Sequence, residues 1–201
     1  MDKIYVKNAK EKWFENDDTF HQLYTKKIQL LAKKHWTPIE VARIAAEFLV
    51  SEKNEKILDI GSGAGKFCLV AGHYKPNAFF YGVEQRKSLI EVAENAQIKL
   101  GLDNVFFIEG NFTQLNFNNY DHFYFYNAFF ENIAGTDKID ESIDYSLELY
   151  NYYNRYLYKQ LETKPAGTKL VTFHSLENEV PRNFTLVDTR MDNLLKCWIK
   201  I

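Results

Sequence analysis

Apolar residues follow two rhythms along this chain. KILDIG (56–61), AFFYGVE (78–84), VFFIEG (105–110), the middle of DHFYFYNAFF (121–130) and GTKLVTFHS (167–175) are short, nearly uninterrupted apolar runs. Strands covered by helices on both faces look like this, because no solvent side breaks the run. Between them lie stretches with helical spacing. Residues 19–35 place Phe20, Leu23, Tyr24, Ile28 and Leu31 on one face. In HWTPIEVARIAAEFL (35–49), Thr37 reads as an N-cap, Pro38 as the first helical residue and Glu40 as the returning partner of a capping box. Val41, Ile44, Ala45, Phe48 and Leu49 form its apolar stripe. GKFCLVAGHYK (65–75) is a helix stopped by Pro76, and RKSLIEVAENAQIKLG (86–101) one that ends at Gly101. A further helix is expected over roughly 140–162, with Tyr145, Leu149, Tyr152, Tyr153 and Tyr156 as its stripe against the sheet. NFTLVDTR (183–190) and LLKCWIKI (194–201) are separated by a polar turn too short for a helix, which predicts a β-hairpin. The whole pattern predicts an α/β fold.

With 201 residues, 46% hydrophobic and 16% aromatic, the chain can bury a sizeable core. Residues 1–50 read as a helical cap and 51–201 as one compact domain. A net charge of -2 gives no strong nucleic-acid signal. Cys68 and Cys197 both lie in apolar segments, which suits buried thiols in a reducing compartment and predicts no metal site. Nowhere are there about 18 consecutive apolar residues, so no membrane partner is expected and the chain is read as cytoplasmic.

The candidate chemistry starts at ILDIGSGAGKF (57–67). A glycine-rich turn between a strand and a helix brings backbone N–H groups close to a ligand. A P-loop would need glycine at Ile60 and a hydroxyl at Phe67, so that reading fails. A dinucleotide fingerprint would need a glycine or alanine at Lys66, which weakens that one.

What remains, D-x-G-x-G-x-G, resembles the first motif of class I S-adenosylmethionine-dependent methyltransferases. The resemblance implies a Rossmann-like sheet of seven strands, mostly parallel, with the hairpin making one strand antiparallel and helices on both faces. It implies S-adenosylmethionine as cofactor, held by Asp59, Gly61, Gly63, Gly65, Glu84, Asn111 and Phe112. Glu84 closes the second strand, where a carboxylate can accept from both ribose hydroxyls, and Asn111 and Phe112 in EGNFTQL would meet the adenine. FYGVE and GNF resemble the lysine methyltransferases of the disruptor-of-telomeric-silencing type in the cofactor half. Amine methyltransferases of this class carry N/D-P-P-Y/F after the fourth strand; in YNAFFE (126–131), Asn127 and Phe130 match its outer positions, while Ala128 and Phe129 replace the prolines. The resemblance therefore implies methyl transfer to an amine nitrogen of a protein or small molecule, with Asn127 and Phe130 as catalytic residues. A non-catalytic cofactor-binding protein and an O-methyltransferase are the alternatives. His174 and Glu131 are further candidates for handling a proton, His35, Trp36 and Thr37 for lining a lid, and 131–140 for a gate.

Overall fold

The structure, a computed structural model, describes residues 11–32 and 36–201. Each short apolar run contains a strand: β1 (Lys56–Ile60), β2 (Phe79–Glu84), β3 (Val105–Glu109), β4 (His122–Phe125), β5 (Lys169–Phe173), β6 (Phe184–Arg190) and β7 (Leu195–Lys200). They form one sheet in the order β3-β2-β1-β4-β5-β7-β6. β1 to β5 are mutually parallel, and β7 runs antiparallel to both β5 and β6. This is the Rossmann-like sheet with one reversed strand. The turn between β6 and β7 passes through Met191, Asp192 and Asn193, all with positive φ.

The runs are continuous in sequence because alternate residues serve two cores. Ile57, Tyr124, Val171 and Cys197 face one cluster, while Leu58, Ile60, Phe123, Phe125, Leu170 and Trp198 face the other. The first core lies under α1 (Asp17–His21), α2 (Lys26–Gln29), α3 (Ile39–Leu49), α4 (Lys66–Tyr74) and α5 (Lys87–Leu100). The second is closed by α6 (Leu147–Glu162) and the 3-10 turns at 112–114 and 117–119. Among the described residues no helix is long and apolar enough to cross a membrane, and no cluster of His, Cys, Asp or Glu could hold a metal ion.

Three local expectations are corrected. Among the described residues of the helix expected over 19–35, the run is broken between His21 and Lys26, where Tyr24 turns inward and donates from its hydroxyl to Ala64 O at 3.0 Å. Thr37 does not cap α3. Its hydroxyl bonds that of Tyr124 at 2.9 Å, Pro38 takes the N-cap place, and Asp17 Oδ1 accepts from Ile39 N at 3.0 Å. The last helix starts at Leu147, capped by Ser146, rather than near 140. Tyr145 thus lies outside it and Tyr152 is half exposed, while Tyr153, Leu157 and Leu161 are its buried residues.

Candidate active site

The C-terminal ends of β1, β2 and β4 surround a cavity of about 470 Å³, within the size range of small-molecule sites. Its floor is the turn after β1. Gly61 N and Ser62 N both donate to Val83 O at 3.0 Å, which leans the turn on β2. Gly61 and Gly63 have φ of 77° and 54°, a region that costs most side chains strain. A Cβ on Gly61 would lie 2.3 Å from that of Ala128, so the turn and the segment after β4 touch there. A Cβ on Gly63 would meet nothing within 4 Å. Gly63 therefore exposes bare backbone to the cavity.

Glu84 ends β2 at the cavity wall, 6% exposed. Its Oε2 accepts from Gly63 N at 3.2 Å, and its Oε1 from Arg86 N at 3.0 Å and Arg86 Nη1 at 3.2 Å. Arg86 is itself buried, with Nη2 donating to Glu131 Oε2 at 2.6 Å and to Tyr145 OH at 2.7 Å, and Nε to Asp140 Oδ1 at 3.2 Å. Burial alone would ease the proton off this guanidinium; Glu84, Glu131 and Tyr145 outweigh it and hold the charge more firmly than usual. Sequence reasoning missed Arg86. Its one local signal was a cation two positions beyond the acidic strand end.

Asn127 and Phe130 both line the cavity opposite the glycine turn. Asn127 has φ of 39°, an uncommon backbone state for an ordinary residue. Among the described residues its carboxamide makes no hydrogen bond, whereas its backbone O accepts from Phe130 N at 3.0 Å. Phe130 is 48% exposed. Phe129 lines the cavity too, but is buried and stacked on Phe112 at 5.0 Å. His174 also lines the cavity, stacked on Tyr126 at 5.6 Å, and burial lowers its pKa from 6.5, so it is neutral at pH 7. Glu131 is held by Arg86, Tyr145 OH and Ile139 N.

The cavity thus collects Gly61, Gly63, Glu84, Phe112, Asn127 and Phe130 of the expected residues. Three lie off its lining. Gly65 forms the N-cap of α4. Asp59 is buried beneath the turn, accepts from Cys68 Sγ at 3.6 Å, and is pushed up to about 8 by desolvation. The Asn111 side chain donates to Gln85 and Tyr153 and accepts from Thr113 N, capping the 112–114 turn. Of the lid residues, Trp36 lines the cavity while packing on Tyr24, Thr37 is engaged with Tyr124, and His35 lies outside the described residues.

The model of a methyltransferase-domain family matches residues 51–189. The chain belongs to this methyltransferase family. It is similar to the tRNA (guanine-N(7)-)-methyltransferase of Synechococcus sp. (strain JA-3-3Ab), 48% identical over 54 residues, which are 27% of this chain and 23% of that enzyme. The match therefore spans about a quarter of the relative's length. In fold it is similar to an RNA methyltransferase from Salinibacter ruber in complex with S-adenosyl-L-homocysteine, at a TM-score of 0.58 and 17% identity, covering 82% of this chain and 93% of that one. A precorrin-6y C5,15-methyltransferase from Geobacter metallireducens has a TM-score of 0.53 at 15% identity, covering 85% and 92%. The family, and the fold shared with a methyltransferase that holds S-adenosyl-L-homocysteine, agree with S-adenosylmethionine as the cofactor. The chain's cavity fits that cofactor, with bare glycine backbone on the floor and a carboxylate at the end of β2.

Proposed function

We propose that this enzyme methylates a nitrogen, namely an amine of a protein or small molecule, with Glu84, Gly61 and Gly63 holding the cofactor and Asn127 and Phe130 the acceptor. The observation that carries the acceptor side is the Asn127 carboxamide, which lines the cavity and is unbonded among the described residues. A half-buried polar group with no partner inside the protein is open to water and to a ligand alike, and a ligand that replaces that water must offer it a matching donor or acceptor. When bound, S-adenosylmethionine supplies an electrophilic methyl group. The chain's own task is then to align a lone pair, and positioning of this kind dominates such transfers. Asn127 Oδ1 accepts an N–H of the acceptor, the exposed ring of Phe130 covers it, and neutral His174 is free to take up the proton that the amine gives up. Glu131 is not that base, since Arg86 holds it. The two buried free thiols suit a cytoplasmic setting.

The similarity to tRNA (guanine-N(7)-)-methyltransferases favours a second acceptor, a guanine ring nitrogen in RNA. That nitrogen already bears a free lone pair and needs no base. The expectation of no nucleic-acid partner, drawn from net charge, stands in tension with this similarity. Asp137 and Asp144 line the cavity, and both an ammonium and the N–H edge of guanine would donate to them.

The deciding experiment incubates the enzyme and Asn127→Ala with methyl-labelled cofactor, and with tRNA, protein extract or small amines as separate acceptors. Label in protein or amine, falling on the order of 10²-fold in kcat for Asn127→Ala with S-adenosylhomocysteine affinity unchanged, supports the amine reading. Label recovered in RNA as 7-methylguanosine, with none in amines, overturns it in favour of the second.

A further inference from the structure

Arg86 stands between the two halves of the cavity. On one side it fixes Oε1 of Glu84 with both its backbone N and Nη1, which leaves Oε2 with Gly63 N beside the cavity. On the other it holds Glu131, Asp140 and the Tyr145 hydroxyl. Three carboxylates thus converge on one guanidinium whose side chain is 4% exposed.

The segment it grips is held besides by bonds within itself, among them Thr136 Oγ1 to Phe130 O and Ile133 O, Ser142 Oγ to Asp140 Oδ1 and Lys138 to Glu141. After the short turn Phe130–Asn132 there is no regular element before α6. Yet Ile139, Ile143, Asp144 and Tyr145 from this segment line the cavity. Two further internal bonds run through the groups that Arg86 holds, with Ile139 N donating to Glu131 Oε2 and Tyr145 OH to Asp140 O. A planar fork holds several carboxylates in fixed directions, whereas a lysine presents its three donors from one point on a flexible stem and fixes none of those directions.

We propose that Arg86 is a positioning residue that couples the cofactor side of the cavity to the acceptor side, shaping residues 131–145 according to how Glu84 is engaged. This rests on the reading of Glu84 as the cofactor's carboxylate. A group that bonds Glu84 changes the charge Arg86 faces there, and so its hold on Glu131, Asp140 and Tyr145. By reciprocity, loosening 131–145 changes affinity at Glu84 by the same factor.

The test combines hydrogen exchange with calorimetry, using S-adenosylhomocysteine as probe, on the wild type, Arg86→Lys and Glu131→Gln. Melting curves first establish which variants are folded. In Arg86→Lys without ligand, exchange in 131–145 should rise at least about fivefold while amides of β1, β2 and β4 keep their protection. The probe should bind about tenfold more weakly, within the usual span of coupling between sites. Saturating probe should protect 131–145 in the wild type and not in Arg86→Lys. A folded Arg86→Lys with wild-type loop exchange and wild-type affinity overturns the coupling. If Arg86→Lys does not fold, Glu131→Gln, which leaves Arg86 and Glu84 paired, decides: faster loop exchange with weakened binding supports the proposal, and no change in either overturns it. A wild type that binds no probe overturns the assignment of Glu84 and the coupling built on it, whereas binding with an unaffected loop overturns the coupling alone.

Discussion

At the scale of single residues, Glu84 is committed on both oxygens within the protein, so its role is set by geometry before any ribose is considered. Glu84→Gln keeps the shape and removes the charge; S-adenosylhomocysteine affinity measured by calorimetry should fall at least about tenfold, since bonds to a charged group are worth ~1.5–3 kcal/mol. Gly63→Val should do the same by another route, forcing a branched side chain into left-handed backbone and filling space that now lies open. Unchanged affinity in both variants would move the cofactor elsewhere. Periodicity placed the strand ends beside which Glu84, Gly63 and Asn127 sit, whereas the roles expected of them came from the resemblance to methyltransferase motifs. Arg86 was legible by neither route. It opens a helical segment in the string QRK, which reads as a solvated terminus, and its partners lie 45, 54 and 59 residues further along. No local pattern carries that burial.

At the scale of elements, the glycine turn is clamped to the N-terminal helices through one carboxylate. Asp17 Oδ1 accepts from Ile39 N, capping α3, and also pairs with the Nζ of Lys66, the first residue of α4. Lys66 is buried among Phe20, Trp36 and His21, and burial lowers its pKa while Asp17 opposes this. Asp17→Asn should retain most of the cap and lose the counter-charge, whereas Asp17→Ala loses both. The alanine variant should melt lower than the asparagine one by the value of a helix cap, about 1 kcal/mol. Equal melting temperatures would show that the cap contributes nothing. These contacts also explain which boundaries could be read in advance. All seven strands fall within the segments expected of them: β1, β4 and β5 because a run buried on both faces has no competing assignment, and β6 and β7 because the turn between them is too short for a helix. The boundaries of α1, α3 and α6 were set instead by distant partners, namely Ala64 for Tyr24, Tyr124 for Thr37 and Arg86 for Tyr145.

At the scale of the whole molecule, a buried histidine makes the fold sensitive to acid in the range where imidazoles titrate. His122 at the N-terminal end of β4 accepts from Lys169 N on Nδ1 and faces Glu55 Oε1 at 3.1 Å through Nε2. Burial lowers its pKa from 6.5, with Glu55 only partly compensating. The unfolded chain therefore binds this proton more readily, and the stability it contributes is fully present above about 6.5 and is lost as pH falls through the folded value. His21 and His174 are lowered too and act in the same sense. Asp59, whose carboxyl is pushed up to about 8, acts in the opposite sense over the same range, so the check is a difference: between pH 7.5 and pH 5.5 the urea midpoint of His122→Gln should fall less, or rise more, than that of the wild type. Identical pH profiles for the two proteins would contradict the role given to His122.

The position of β7 has a consequence in time as well as in space. Among the described strands it is the last to be synthesised, yet it lies inside the sheet, with β5 on one side and β6 on the other. Until Leu195–Lys200 have left the ribosome, the edge of β5 and the inner edge of β6 have no partner, and such edges invite pairing with other chains. The parallel half that carries the cavity can assemble during translation, whereas the far half waits for its centre. A nascent chain stalled before Leu195 would thus hold a nearly complete cofactor site beside an open template for aggregation.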